Sequence, residues 1–129
     1  MQLAKKRGAK LAIRLNVSGA FHSPLMEHAA TGLEPHIERA KIRSPEIPVI
    51  GNTKAQVLSS VENVRIELSN QISCCVQWED TVRYLLSQRV NRFVEIGPGD
   101  VLAGLVKRIS TDAITISIGN NDDIKAMTS

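Results

Sequence analysis

The chain has 129 residues, 43% of them hydrophobic, a composition that supports one folded unit, or part of one, and excludes intrinsic disorder. Sixteen lysines and arginines stand against 13 aspartates and glutamates, so the formal net charge is only +3, and most of the charges are interspersed. Nucleic-acid binding needs a basic surface and rings for base stacking, and this weakly basic chain has only two Phe, one Trp and one Tyr, which argues against that class.

Neither a membrane span nor a signal peptide is predicted. The apolar runs are only a few residues long, and the N-terminus, MQLAKKRGAK, lacks the apolar middle of a signal peptide. We therefore expect no membrane association and a cytoplasmic location. Cys74 and Cys75 are adjacent, which is poor geometry for a disulfide and is not the spacing of a metal site. We interpret both as reduced residues that act as small apolar side chains.

Short apolar runs alternate with longer amphipathic ones along the chain, and this alternation indicates the α/β class. Residues 2–8 have the pattern of the last turns of a helix that Gly8 ends. Residues 11–17 alternate apolar and polar side chains, as a strand with one solvated face does. We therefore expect the chain to begin in the middle of a fold.

A helix is predicted to begin at the Ser23-Pro24 pair. The Ser23 hydroxyl can accept a hydrogen bond from the free amides of a first helical turn, and Pro24 has no amide to leave unpaired there. Pro35 interrupts the helical pattern and predicts a kink. The apolar stripe that this helix turns towards a core comprises Leu25, Met26, Ala29, Ala30, Leu33, Ile37 and Ala40.

The second half of the chain predicts strands and helices in alternation. A short buried strand is expected at residues 47–52, and helices at residues 61–71 and 78–89. Residues 93–96 and 113–119 have the pattern of strands, separated by a Gly-Pro-Gly turn and a helix. Because a strand, a helix and a strand follow in that order, we expect the two strands to pair in parallel. The buried face of the intervening helix is predicted to be Val101, Leu102, Leu105, Val106 and Ile109.

His22, in the stretch NVSGAFHSPLM, lies in the predicted loop between a strand and a helix, where ligands gather in open α/β sheets. Amides at the start of the following helix supply positive potential, which disfavours an imidazolium and would keep His22 neutral and able to accept a proton. The alternative is a histidine that only hydrogen-bonds its loop. His28 and His36, which we place on a helix face, show that histidine is not rare here. The residues alone leave both interpretations open.

The stretch EIGPGDVLAG resembles a phosphate-binding loop only superficially. It is not GxGxxG, and Pro98 has no amide to offer an anion. We interpret it as a strand-to-helix turn that needs glycines for its backbone angles. The sequence contains no GxSxG elbow, and His22 has no separate serine or cysteine partner, since Ser23 is assigned to the helix cap.

Four stretches, VSGAFHSPLM, PVIGN, NQISCCVQW and RFVEIGPGDVLAGLVKRI, carry a family resemblance in their order and spacing. They resemble the second half of malonyl-CoA:acyl carrier protein transacylases, the acyltransferases of fatty acid synthesis. The resemblance implies that residues 1–17 are the last helix and strand of a ferredoxin-like small subdomain. It further implies that residues 18–120 are the C-terminal part of an α/β-hydrolase-like large subdomain, and residues 121–129 are left as a polar C-terminal tail.

The resemblance also implies a mechanism. In the family a serine attacks the thioester of malonyl-CoA, a histidine removes the serine proton, and the malonyl-enzyme then reacts with the phosphopantetheine thiol of acyl carrier protein. His22 matches that histidine, and Gln71 matches the residue whose backbone carbonyl orients it. Phe21 matches the bulky residue that, in related acyltransferases, accompanies specificity for malonyl over methylmalonyl. The alternative interpretation is that Phe21 fills space in the core. No cofactor is implied, since CoA thioester and phosphopantetheine are substrates.

The departures from the family concern its first half. The serine elbow, the arginine that pairs with the malonyl carboxylate and the glutamine-glycine segment of the oxyanion hole have no counterpart here. We therefore expect a missing N-terminal half, carrying the serine, as a partner. The fragment alone is expected to be inactive, with uncovered apolar faces and strand edges.

Two further hypotheses remain. One is a non-catalytic fragment or carrier-protein-binding module that would meet an acidic partner through Arg39, Lys41, Arg43, Lys107 and Arg108. The other is an excerpt of a polyketide synthase acyltransferase domain, which carries the same histidine loop. The ending NNDDIKAMTS is expected to be weakly structured, like a chain terminus, and this favours a free-standing enzyme.

Overall fold

Helices and a pair of strands alternate along residues 1–14 and 17–128, which the computed structural model describes. The helices within these residues are α1 (Gln2–Lys6), α2 (Glu27–Arg39), α3 (Val61–Gln71), α4 (Trp78–Ser87), α5 (Val101–Ile109) and α6 (Asn121–Thr128). The strands are β1 (Arg92–Ile96) and β2 (Ile114–Ile118). This content confirms the α/β class.

The two strands and α5 form a parallel β-α-β unit, as predicted. Arg92 of β1 is paired with Ile114 of β2, and the register continues to Ile96 and Ile118. Helix α5 connects the strands and contacts both of them, while α4 packs against α5. The core between these elements consists of buried Val82, Val106 and Ala113, with Trp78, Leu86, Phe93 and Ile109 packed against it.

Helices α2 and α3 form a second packed pair. Ala30 and Ile37 are buried on the α2 face that the sequence predicts to be apolar. Arg65 of α3 donates hydrogen bonds to the carbonyls of Ile37 and Ala40 at the end of α2. A guanidinium at a helix C-terminus satisfies carbonyls that lack intrahelical partners and meets the negative end of the helix dipole. The two helices are thereby held together at the end nearest to Ala40.

The predicted start of the first long helix needs correction. Pro24–Met26 form a 3-10 turn, and α2 begins only at Glu27. Ser23 does not accept from the helix amides; its hydroxyl donates to the carbonyl of Ala20 at 2.7 Å instead. Leu25 is 80% exposed and does not belong to the buried stripe. Pro35 lies inside α2 without ending it.

Two predicted strands are not found. Around residues 47–52 there is only an isolated antiparallel bridge between Ile50 and Val57, because the chain folds back on itself there and pairs locally. Residues 11–14 and Val17 are in no strand, and Leu15 and Asn16, which the prediction also includes, lie outside the described residues. A strand needs a neighbour for its backbone groups, and no described residue pairs with residues 11–14.

The C-terminal residues form helix α6, so the expectation of a weakly structured polar tail is wrong. The side-chain oxygen of Asn120 accepts from the amides of Asp122 and Asp123 at the start of the helix. The carboxylate of Asp123 accepts in return from the amides of Gly119 and Asn120. This reciprocal capping satisfies backbone donors that a first helical turn leaves free. Within the described ranges, no helix is both long enough and apolar enough to cross a bilayer.

Large apolar side chains are left in solvent, as expected. Ile96, Leu25 and Ile47 are exposed by 82%, 80% and 77%. Along β1, exposed Val94 and Ile96 alternate with half-buried Phe93 and Glu95, so one face of the strand is uncovered. Parallel sheets in folded proteins are covered on both faces. The described elements therefore leave an apolar sheet face that needs further structure to cover it.

Candidate functional site

The loop that carries His22 is a sharp turn held at both ends by hydrogen bonds. His22 has a φ of 61°, which is uncommon for a residue with a side chain. Its backbone amide donates to the carbonyl of Ile72 at 2.8 Å, and the Ser23 hydroxyl closes the turn onto Ala20. A strained backbone angle persists only where surrounding contacts hold it, and such positions are frequent at functional sites. The loop therefore presents His22 in one defined orientation.

The imidazole ring of His22 is fixed by a backbone carbonyl. Nδ1 lies 2.7 Å from the carbonyl oxygen of Gln71. Because a carbonyl oxygen only accepts, Nδ1 carries the proton and, in the neutral ring, Nε2 carries the free electron pair. The side chain is exposed, and Nε2 makes no hydrogen bond within residues 1–14 and 17–128. The arrangement leaves an oriented base open to a group outside the described chain.

The carbonyls that hold His22 lie at the end of a helix. Gln71 is the last residue of α3 and Ile72 follows it, so both carbonyls are among those without intrahelical partners. This end of a helix carries negative partial charge, which stabilises a cation beside it. His22 does not lie next to the positive end of the following helix, as the sequence predicts, because α2 begins only at Glu27. The direct contact of the ring is instead with a carbonyl at the C-terminus of α3.

The side chain of Gln71 takes no part in orienting His22. Its Oε1 is buried and has no hydrogen-bond partner among the described residues. The expected pair of residues, His22 and Gln71, is thus brought together, and it is the backbone of Gln71 that makes the contact. The second carbonyl, that of Ile72, is not predictable from the sequence, because a backbone acceptor leaves no signature in the residue type.

Phe21 lies beside His22 at the surface. Its side chain is 56% exposed, so the interpretation of Phe21 as a plug in the core is wrong for the described chain. The ring lies against the backbone of Gly19: a Cβ added there would be 2.9 Å from Cε2 of the ring. Sequence analysis did not identify this role of Gly19. The ring is therefore an exposed apolar group directly beside His22.

The Gly-Pro-Gly turn is structural. Gly97 and Gly99 have φ angles of 143° and 95°, which side chains rarely adopt. The carboxylate of Glu95 accepts from the amides of Leu102 and Ala103 in the first turn of α5, at 3.1 and 2.8 Å. An anion-binding position at this helix start is therefore occupied by the chain's own carboxylate, which agrees with the interpretation of EIGPG as a turn.

The remaining candidates are spread over the surface. Cys74 and Cys75 are free, and both are exposed to solvent. The basic residues considered for an acidic partner lie on or just after α2 and on α5. These two helices do not contact each other in the described part of the chain. In that same part, no three His, Cys, Asp or Glu side chains form a group able to hold a metal ion. The basic residues, all exposed, are Arg39, Lys41, Arg43, Lys107 and Arg108.

Curated relatives of the chain share one name, although family models do not detect it. No family model matches the chain. A malonyl CoA-acyl carrier protein transacylase of Bacillus subtilis is 39% identical over 124 residues, which cover 96% of this chain and 39% of the relative. A protein of the same name from Staphylococcus aureus is 35% identical over 97% of this chain and 41% of its own length.

Solved structures agree with these relatives. An acyl-carrier-protein S-malonyltransferase from Burkholderia pseudomallei superposes with a TM-score of 0.88 at 32% identity, covering 98% of this chain and 41% of that one. A malonyl-transacylase solved in complex with its type II polyketide synthase acyl-carrier protein gives 0.89 at 34% identity, covering 97% and 40%. The chain is thus similar over nearly its whole length to proteins named malonyl CoA-acyl carrier protein transacylase, and it spans about 40% of the length of the relatives that it matches.

Proposed function

We propose that this chain supplies the general-base part of an enzyme that transfers a malonyl group from malonyl-CoA to the phosphopantetheine thiol of acyl carrier protein in fatty acid biosynthesis. The observation that carries the proposal is the 2.7 Å contact between Nδ1 of His22 and the carbonyl of Gln71. That contact leaves Nε2 as the proton acceptor, which is what a base that activates a hydroxyl nucleophile requires.

The reaction has two half-reactions that use the same nitrogen. Nε2 of His22 accepts the proton of a serine hydroxyl as its oxygen attacks the thioester carbonyl, and it returns that proton to the departing CoA sulfur. The malonyl ester then reacts with the phosphopantetheine thiol, whose proton passes through Nε2 to the serine oxygen. The carbonyl of Gln71, bonded to Nδ1, holds the ring in place while it carries the proton in both steps.

The serine comes from a segment outside these 129 residues. Because the relatives are more than twice as long as their match to this chain, we place the serine in an N-terminal segment that packs against the uncovered face of β1 and the other exposed apolar side chains. Alone, the described chain offers a base without a nucleophile, and we expect it to be inactive. The subdomain boundaries expected at residues 17 and 120 belong to the same proposal.

Phe21 is proposed to select malonyl. Its exposed ring next to His22 would crowd an α-methyl branch on the acyl group. Acyl carrier protein is proposed as the acceptor, and the structural relative that is complexed with such a carrier supports this choice. We place the reaction in the cytoplasm, where the free, exposed thiols of Cys74 and Cys75 stay reduced.

The experiment is a fusion of this chain behind the N-terminal part of the Bacillus subtilis relative, up to the start of the matched region. Transfer of radiolabelled malonyl from CoA to acyl carrier protein is measured for the fusion and for two histidine variants. We expect H22A to lose about 10²- to 10⁴-fold in kcat. H28A, which changes an exposed histidine on α2, is the matched control and retains the rate. Equal rates for both variants would contradict the proposal.

A further inference from the structure

Glu67 of α3 holds the turn at residues 51–53 by three hydrogen bonds. Its Oε1 accepts from the amides of Asn52 and Thr53 at 2.6 and 3.0 Å. Its Oε2 accepts from the Thr53 hydroxyl at 2.6 Å. Hydrogen bonds to an ionised acceptor are stronger than those between neutral groups, and the Glu67 side chain is half-buried, which reduces competition from water. The carboxylate is therefore a firm connection between α3 and the turn.

Gly51 leaves the space that this carboxylate occupies. It is buried, and a Cβ there would be 2.7 Å from Oε2 of Glu67 and 3.1 Å from Cδ2 of Leu58. Its φ lies outside the left-handed region, so the glycine is not required by the backbone angle. The absence of a side chain at this position is explained by the close approach of Glu67.

The same turn is tied to the segment that follows α3. The carbonyl of Asn52 accepts from the amide of Gln77 at 2.7 Å, immediately before α4. Residues 72–77, which connect α3 to α4, are thus bounded on one side by α3 and on the other by the turn that Glu67 holds. Glu67 and Gln71 are four residues apart, one helical turn, on α3.

We infer that Glu67 is a positioning residue for His22: by holding the turn at residues 51–53 against α3, it fixes the α3–α4 connection that presents the carbonyls of Gln71 and Ile72 to the histidine. The inference rests on the proposed function only for its effect on malonyl transfer. Its effect on the His22 ring is independent of that function, because the hydrogen bonds involved all lie within the described chain.

The direct test is the tautomer of His22 in the 129-residue chain, read from long-range proton–nitrogen NMR spectra after labelling with ¹⁵N-histidine and assigned by comparison with H22A. We expect the unsubstituted chain to show His22 protonated at Nδ1, and E67A to show a mixture of the two neutral tautomers. E62A changes an exposed glutamate of the same helix and serves as the matched control; it keeps the Nδ1 tautomer.

The conservative variant separates positioning from a general loss of stability. In E67Q, the amide oxygen can accept from both backbone amides, and the amide nitrogen can donate to the Thr53 hydroxyl. We expect E67Q to restore the Nδ1 tautomer. G51A, whose methyl group would displace the carboxylate, is expected to reproduce the E67A spectrum and to add nothing in an E67A background. If E67A unfolds the chain, the tautomer of His22 is compared between G51A and E67Q instead.

In the fusion enzyme, E67A is expected to lower kcat by up to about 10²-fold with little change in KM for malonyl-CoA, as misplacement of a catalytic group does. A folded E67A chain that keeps the Nδ1 tautomer would overturn the inference. An altered tautomer in E67A, together with a fusion in which H22A transfers malonyl as fast as H28A, would support the positioning role and contradict the proposed function.

Discussion

The ring of Phe21 rests on Gly19 with no space for a methyl group between them, since a Cβ on Gly19 would be 2.9 Å from Cε2 and 3.3 Å from Cδ2 of the ring. No positive φ is required at Gly19, so the ring is the group that a side chain there would meet. An alanine at position 19 would therefore require the exposed ring next to His22 to move.

Gly19→Ala is expected to displace the Phe21 ring and weaken the discrimination between malonyl-CoA and methylmalonyl-CoA in the fusion enzyme. A single methyl group is discriminated by about 10- to 200-fold in a fitted pocket, so the ratio of the two kcat/KM values should fall by about that range. Gly32→Ala is the control, because a Cβ at Gly32 meets nothing within 4 Å. An unchanged ratio in G19A would show that Phe21 does not select the acyl group.

Ser23→Ala tests whether the hydroxyl next to His22 takes part in the chemistry. The structure assigns it to a hydrogen bond with the carbonyl of Ala20, a neutral contact that contributes about 0.5–1.5 kcal/mol. We expect S23A to lower kcat by no more than about tenfold, the kinetic equivalent of that energy. A loss as large as that of H22A would identify Ser23 as a nucleophile and would remove the need for a serine from another segment.

Substitution by alanine should change the free energy of unfolding in opposite directions at Gly99, in the Gly-Pro-Gly turn, and at Gly104, in α5. Gly99 has a φ of 95°, so G99A should cost about 1–2 kcal/mol in the free energy of unfolding. Gly104 lies inside α5, where a Cβ would meet nothing within 4 Å, so G104A should add about 0.5–1 kcal/mol. Urea denaturation of the chain measures both, and destabilisation by G104A would show that the face of α5 at Gly104 is packed.

Ile96→Glu tests whether the exposed face of β1 receives the missing segment. The side chain is 82% exposed, so the charge should not unfold the chain, which circular dichroism checks. When the N-terminal part of the Bacillus subtilis relative is supplied as a separate polypeptide, I96E should fail to bind it. Arg92→Gln, on the same strand, is the control and should bind. Normal binding by I96E would place the segment elsewhere.

The sequence predicted best those elements whose partners lie nearby in the chain. Helix α3 was expected at the residues where it is found, and β1 and β2 pair in parallel as the strand-helix-strand order requires. The strand expected at residues 47–52 fails because Gly51 and Leu58 make local hydrogen bonds with Gln56 and Val49 instead. Apolar character predicts burial both for β1 and β2 and for residues 47–52. It does not specify which segment of the chain pairs with each of them.

The position of His22 in a predicted loop made it a candidate, and only the family resemblance paired it with Gln71. His22 has no signature of its own, and the group that orients it is a backbone carbonyl, which any residue at position 71 would supply. Ser23 is predicted to cap a helix, but its hydroxyl donates to the carbonyl of Ala20. A hydroxyl in a loop has carbonyls as well as amides within reach, so the residue type does not distinguish the two roles. Glu67 is separated from its turn by 14 and 15 residues, and nothing in a single sequence links the two.

In the proposed mechanism, His22 removes the proton of the attacking serine. The most direct measurement is a rapid-quench determination of malonyl-enzyme formation from malonyl-CoA in the fusion enzyme, without carrier protein, for H22A and H28A. We expect acylation to be about 10²- to 10⁴-fold slower in H22A and unchanged in H28A. Acylation of H22A at the rate of H28A would show that His22 is not the base.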